Sequence, residues 1–165
     1  MRSHILGKFA IFVLALSLVV GCSKSVALEI GEKATEFTLQ DMDGKNVNLS
    51  DFKGDVVILN FFATWCPPCK QEVPDFVELQ NKYSAEGFSV IGISLVSAED
   101  TKAFAKKMSV NYPMLIDDTV ISAVYGPVRS IPTTYILDRD HKIVKVYIGS
   151  KSKAVFENDI KALLK

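Results

Sequence analysis

The residues of this chain best suited to chemistry are two cysteines spaced by two residues, in Trp65-Cys66-Pro67-Pro68-Cys69. A pair at this spacing forms a dithiol that opens and closes reversibly. The chain holds only three cysteines in 165 residues, so the pair is not part of a dense disulfide framework. Its context favours reactivity. The apolar run Val56-Val57-Ile58-Leu59-Asn60-Phe61-Phe62 precedes it and reads as a strand running out near Ala63 or Thr64. Val73, Phe76, Leu79 and Tyr83 recur at helical spacing and predict a helix from Pro67 to about Tyr83. Pro67 and Pro68 suit a first turn, where a missing N–H costs nothing. Cys66 then stands at the helix N-terminus, facing unpaired N–H groups and the positive end of the helix dipole. Both stabilise a thiolate, and cysteines so placed have pKa values of roughly 3.5–7.5 against ~8.5 for a free thiol. Cys66 is the expected nucleophile. Cys69, one turn in, is expected to be less exposed and to resolve the mixed disulfide.

Other uses of a cysteine pair fit less well. A zinc site needs about four ligands, and the further candidates are only Cys22, His4 and His141. Covalent haem attachment needs histidine after the second cysteine, and Lys70 stands there. A structural disulfide across two residues closes too short a loop to stabilise much. The expected redox centre is therefore the pair alone, without metal or cofactor.

Hydrophobic residues make up 48% of the chain and charged residues 23%, enough for one globular domain with its own core. The net charge is zero, and nothing points to nucleic acid. Residues 1–21 read as a signal peptide: Arg2, His4 and Lys8 form a basic start, Phe9 to Val20 is apolar, and Gly21 is small. The apolar stretch is short of the ~20 residues of a membrane span. Val19-Val20-Gly21-Cys22 resembles a bacterial lipobox, which implies cleavage before Cys22 and lipid attachment to its thiol. An ordinary signal peptide or an uncleaved anchor is the other reading. Removal of 1–21 takes away Arg2 and Lys8, leaving 17 basic and 19 acidic residues and a net charge of −2. Residues 22–32 are expected to form a tether and 33–165 the domain. Export would place the domain where disulfides persist, so a dithiol that must stay reduced needs an electron supply.

Within the domain, Glu36–Gln40 and Asn46–Leu49 alternate around the turn Asp41-Met42-Asp43-Gly44, as in a hairpin. Val56–Phe62 and Ser89–Leu95 are apolar enough for strands buried on both faces. Ser97 with Asp100 signals a helix start, Pro113–Ile116 reads as a short strand, and Val120–Tyr125 as a short helix. Thr133–Leu137 and Ile143–Ile148 form a strand pair, and Val155, Phe156, Ile160, Leu163 and Leu164 stripe a last helix. The order ββ–βα–βα–βα–ββα predicts an α/β fold, a central mixed sheet flanked by helices.

Four features together resemble the thioredoxin superfamily, and within it the extracytoplasmic thiol–disulfide oxidoreductases of the ResA/TlpA type. They are Trp65-Cys66-Pro67-Pro68-Cys69 after a buried strand; the hairpin ending Leu49-Ser50-Asp51-Phe52-Lys53-Gly54; Ile131-Pro132-Thr133-Thr134-Tyr135; and an extra helix and strand from about Ala98 to Ile116. The resemblance spans about residues 30–164 and implies a thioredoxin-like fold with an N-terminal hairpin and an α–β insertion. It implies that Pro132 is cis and faces the cysteines, and that the backbone at Ile131 pairs with an extended substrate. Trp65, Pro67 and Pro68 would line the docking surface. Thioredoxins carry a buried aspartate six residues before the first cysteine, where this chain has Asn60. Glu72 is the expected substitute. It shares a helix face with Cys69 and Phe76, burial would raise its pKa, and it would take the proton of Cys69 during exchange. ResA-like proteins carry a glutamate there. A solvated surface glutamate is the alternative. Pro74 would kink the helix, as in thioredoxins.

The resemblance implies a membrane-tethered enzyme that reduces disulfides of exported proteins, apocytochrome c among the candidate substrates, and is itself re-reduced by a membrane donor of the DsbD/CcdA kind. Two further readings share the fold. A peroxiredoxin would place threonine three residues before its reactive cysteine, where Ala63 stands. A copper-binding assembly protein of the Sco type spaces its cysteines by three residues and adds a distant histidine, for which only His141 is available in the mature chain.

Overall fold

A computed structural model describes residues 28–165, except 118 and 127. The expected signal peptide at 1–21 and the lipidation site Cys22 lie outside the described residues. The elements are β1 (Thr38–Asp41), β2 (Asn46–Asn48), β3 (Val56–Phe62), α1 (Pro67–Tyr83), β4 (Phe88–Ser94), α2 (Ala98–Met108), β5 (Met114–Ile116), α3 (Val120–Val124), β6 (Thr133–Leu137), β7 (Ile143–Ile148) and α4 (Lys153–Leu164). They form one seven-stranded sheet in the order β2-β1-β5-β4-β3-β6-β7. Strands β3, β4 and β5 run parallel; β1, β6 and β7 pair antiparallel to their neighbours. This is the expected mixed sheet of a thioredoxin-like fold.

The sheet has an apolar core on each face, because alternate residues of a strand point to opposite sides. Ile58 and Phe62 of β3 pack with α1, α2 and α4, while Val57, Leu59 and Phe61 pack with α3 and the N-terminal segment. All seven residues of β3 are buried, which explains why its sequence is a run rather than an alternation. The α2–β5 insertion extends the sheet, and β1 of the hairpin docks antiparallel on β5.

Several element ends differ from the sequence reading by one or two residues, and two differences have a visible cause. Leu49 belongs to a 3-10 turn, Leu49–Phe52, not to β2. There the Asp51 carboxylate accepts the Asn48 N–H at 2.8 Å and ends the strand. The chain is also fixed earlier than residue 33. Gly31 N–H donates to Ile143 O at 2.7 Å, and Ile143 N–H to Glu32 O at 2.8 Å, so the last residues assigned to the tether pack against the domain.

Gly87 turns the chain from α1 into β4 with φ +81°, and a Cβ there would meet Arg139 Nη1 at 2.6 Å. That guanidinium donates to Gly54 O at 2.7 Å and Glu86 O at 3.2 Å, so a side chain at 87 would displace it from these bonds as well as strain the backbone at a positive φ. Gly87→Ala is expected to lower stability by about 1–2 kcal/mol, seen as a lower urea midpoint with unchanged slope.

Candidate active site

The chain leaves β3 at Phe62 and turns within four residues. Cys66 N–H donates to Ala63 O at 3.1 Å, and Cys66 is the N-cap of α1, with Pro67 and Pro68 in the first turn. The Cys69 N–H points at Cys66 Sγ, 3.4 Å away. A sulfur thus takes the place of the usual capping oxygen, and a thiolate there would meet both an N–H and the helix dipole. Cys66 and Cys69 are joined as a disulfide, with Cα atoms 5.3 Å apart. The expected difference in exposure is absent: Cys66 is 3% exposed and Cys69 2%. The reason is the loop lying over Cys66, whose Sγ is 3.7 Å from the carbonyl oxygen of Ile131.

That loop contains the cis peptide Ile131–Pro132. Thr133 Oγ1 donates to Ser130 O at 2.7 Å across it, and Gly149 N–H donates to Pro132 O at 2.8 Å from the turn after β7. Ile131 is half-buried against the core of the α1 face. Trp65 is 68% exposed, Pro67 is exposed and Pro68 half-buried. These side chains form an apolar rim beside the pair. On the opposite side of the proline loop an open groove of about 580 Å³ is lined by Ile30, Val128, Ser130, Thr133, Val146 and Ile148, among others.

Glu72, one turn beyond Cys69 on α1, is 2% exposed. Its Oε1 accepts the Lys151 N–H at 2.8 Å, while Oε2 is buried with no partner among the described residues. Burial pushes its carboxyl up to about 7; the Lys151 amide and charge hold it down, and Asp75 adds a smaller upward push. Tyr112, buried ahead of β5, has its hydroxyl raised by burial and by the Glu72 charge. Asn60, where thioredoxins carry aspartate, is buried and donates from Nδ2 to Thr134 Oγ1 at 2.8 Å. It is a neutral cross-strand bond with no proton to exchange. Pro74 is exposed, and α1 runs on through it.

His141 is not near the cysteines. It sits in the β6–β7 turn, buried, with Nε2 3.1 Å from Phe52 O. The five-residue β6 separates that turn from the proline loop by roughly 16 Å, so His141 does not complete a site with Cys66 and Cys69. No cluster of three or more metal-ligating side chains occurs among the described residues.

Sequence reasoning missed Gly149 and Lys151. Both act through main-chain N–H groups, which residue type does not reveal; the only mark was a glycine between the last strand and the last helix.

A sheet of this order, with a cysteine pair capping α1 under a cis-proline loop, defines a thioredoxin-fold enzyme of thiol–disulfide exchange. Comparison with known proteins agrees. Residues 30–146 match the AhpC/TSA family. The chain is 39% identical over 141 residues to thioredoxin-like protein YneN of Bacillus subtilis, covering 83% of this chain and 82% of that protein. It is 36% identical over 146 residues to the thiol-disulfide oxidoreductase ResA of Bacillus cereus, covering 86% and 82%. Among solved structures, a thiol:disulfide interchange protein of the thioredoxin family from Chlorobium tepidum superposes with a TM-score of 0.77 at 30% identity, covering 83% of this chain and 99% of that one. The chain belongs to the AhpC/TSA family and is a thioredoxin-like thiol–disulfide oxidoreductase.

Proposed function

We propose that this protein is a membrane-tethered reductase of disulfides in exported proteins. The observation that carries the reading is Glu72: a carboxyl buried one helical turn from Cys69, with one oxygen unpartnered among the described residues. In the reduced enzyme the Cys66 thiolate attacks a substrate disulfide, one substrate sulfur bonds to Cys66, and the other leaves as a thiolate. Cys69 gives its proton to Glu72 and, as a thiolate, attacks Cys66. The Cys66–Cys69 disulfide forms and the second substrate sulfur leaves. The substrate gains two electrons and the enzyme loses two.

Pro132 and Ile131 orient the substrate beside Cys66, the Ile131 backbone pairing with its extended chain, and Trp65, Pro67 and Pro68 exclude water from the exchanging sulfurs. The signal-peptide pattern at 1–21 and the lipobox at Cys22 support an extracytoplasmic, lipid-anchored location. A membrane donor of the DsbD/CcdA kind would return the electrons. Apocytochrome c, whose haem-binding thiols must be free, is a substrate of the required type.

The test is the equilibrium reduction potential of the pair, titrated in thiol buffers and followed by Trp65, the only tryptophan. A value near or below about −250 mV, close to thioredoxin, is expected; one above about −150 mV, toward DsbA, would make the protein an oxidant and overturn the direction.

A further inference from the structure

Glu72 and the cis-proline loop are held by one short stretch of chain. Gly149 N–H donates to Pro132 O at 2.8 Å, and two residues on Lys151 N–H donates to Glu72 Oε1 at 2.8 Å. Gly149 has φ +77°, which lets the chain turn between these two bonds. The Lys151 side chain points elsewhere: its Nζ lies 3.3 Å from Ile148 O and 5.8 Å from the centre of the Tyr147 ring. What Lys151 offers the carboxyl directly is therefore its main chain.

We propose that the Lys151 amide, anchored to the proline loop through Gly149, is the positioning group of the proton acceptor: it occupies Glu72 Oε1 and leaves Oε2 to carry the exchanged proton. The inference rests on the proton-acceptor reading of Glu72 given above. In a neutral carboxyl the oxygen that accepts an N–H is the carbonyl oxygen, and the proton sits on the other. Here the other oxygen is the buried Oε2, unpartnered among the described residues. During resolution the Cys69 S–H bond breaks, its proton passes to Oε2 and the electron pair stays on sulfur. The thiolate displaces the substrate sulfur from Cys66, and the departing thiolate takes a proton from solvent. The groups bearing on Glu72 are Asp75 on its own helix, Lys151 from the turn before α4, and Tyr112 ahead of β5. Among them only Lys151 donates a hydrogen bond to it.

The experiment follows the Glu72 carboxyl by ¹³C NMR, assigned with Glu72→Gln, and the Lys151 amide by ¹⁵N–¹H spectra, across pH. The Lys151 amide is expected to shift with the Glu72 titration in the parent protein and to be flat in Glu72→Gln. Lys151→Pro, which lacks the N–H, is expected to raise the Glu72 midpoint by about one pH unit or more. Lys151→Ala, which keeps the N–H and loses the charge, is expected to raise it by less than half as much. An amide that ignores the titration, or proline and alanine variants that move the midpoint equally, would overturn the inference. Should Lys151→Pro fail to fold, the amide titration of the parent decides alone. If Glu72→Gln leaves the pH dependence of the Cys66–Cys69 potential unchanged, the proton-acceptor reading itself fails. If it alters that dependence while the Lys151 amide stays silent, only the positioning role is lost.

Discussion

Cys69→Ser is expected to trap its substrates. The variant keeps the Cys66 sulfur at the helix N-terminus, within 3.4 Å of a main-chain N–H, so attack on a disulfide still proceeds. The mixed disulfide then has no internal thiol to release it. Resolution falls to external thiol, which lacks the advantage of a reactant held one helical turn away. Turnover should drop by about 10²-fold or more, and a covalent enzyme–substrate adduct should accumulate, visible by intact mass and lost on adding dithiothreitol. Cys66→Ser should neither turn over nor trap. The assignment of roles would be wrong if Cys66→Ser formed the adduct and Cys69→Ser did not.

The second large effect is on stability. Glu72 titrates near 7 in the folded protein and ordinarily near 4.5. Below about pH 4.5 both folded and unfolded chains hold the proton, and burial of the neutral acid carries no charge penalty. Between 4.5 and 7 the unfolded chain releases the proton while the folded one keeps it, so stability falls as pH rises. Above 7 the loss is complete, and 2.5 pH units correspond to about 3 kcal/mol. Urea unfolding of the oxidised protein is therefore expected to show lower stability at pH 8 than at pH 5. Glu72→Gln should flatten that slope and be the more stable form at pH 8. The opposite contribution of Glu157, held down to about 2 by hydrogen bonds from Lys82 and Tyr83, acts only below pH 4.5 and stays clear of the window. A parent protein with equal stability at pH 5 and 8 would contradict the burial of Glu72 as a charged group.

Most of the fold was legible because its signals are local. The run Val56–Phe62, the stripe Val73-Phe76-Leu79-Tyr83 and the two prolines after Cys66 fix β3 and α1 to the residue, since each depends on near neighbours. Leu49 was misread because one hydrogen bond from Asn48 to Asp51 decides where β2 stops, and apolar alternation does not register it. The equal burial of the two cysteines was not legible either. Cys66 is covered by Ile131, 65 residues away in sequence, and a helical position says nothing of what folds back over it. The inward face of Glu72 was readable from its spacing to Cys69 and Phe76. Its partner was not, because a main-chain amide has no letter in the sequence.

The two ends of the sheet bear on how the protein behaves when crowded. An unpaired strand edge is a template on which a second molecule can add a strand. At one end β2 is only three residues long. At the other, the segment Gly31–Ala34 pairs with residues 141–143 at the start of β7, and the rest of β7, which no described strand pairs on that side, carries the exposed Lys145. A domain trimmed to begin after Ala34 would keep its cysteines, its proline loop and its buried glutamate, yet would bare that edge. The stretch that leads into the domain thus also closes the start of its outermost strand, and a domain lacking it is expected to self-associate more readily.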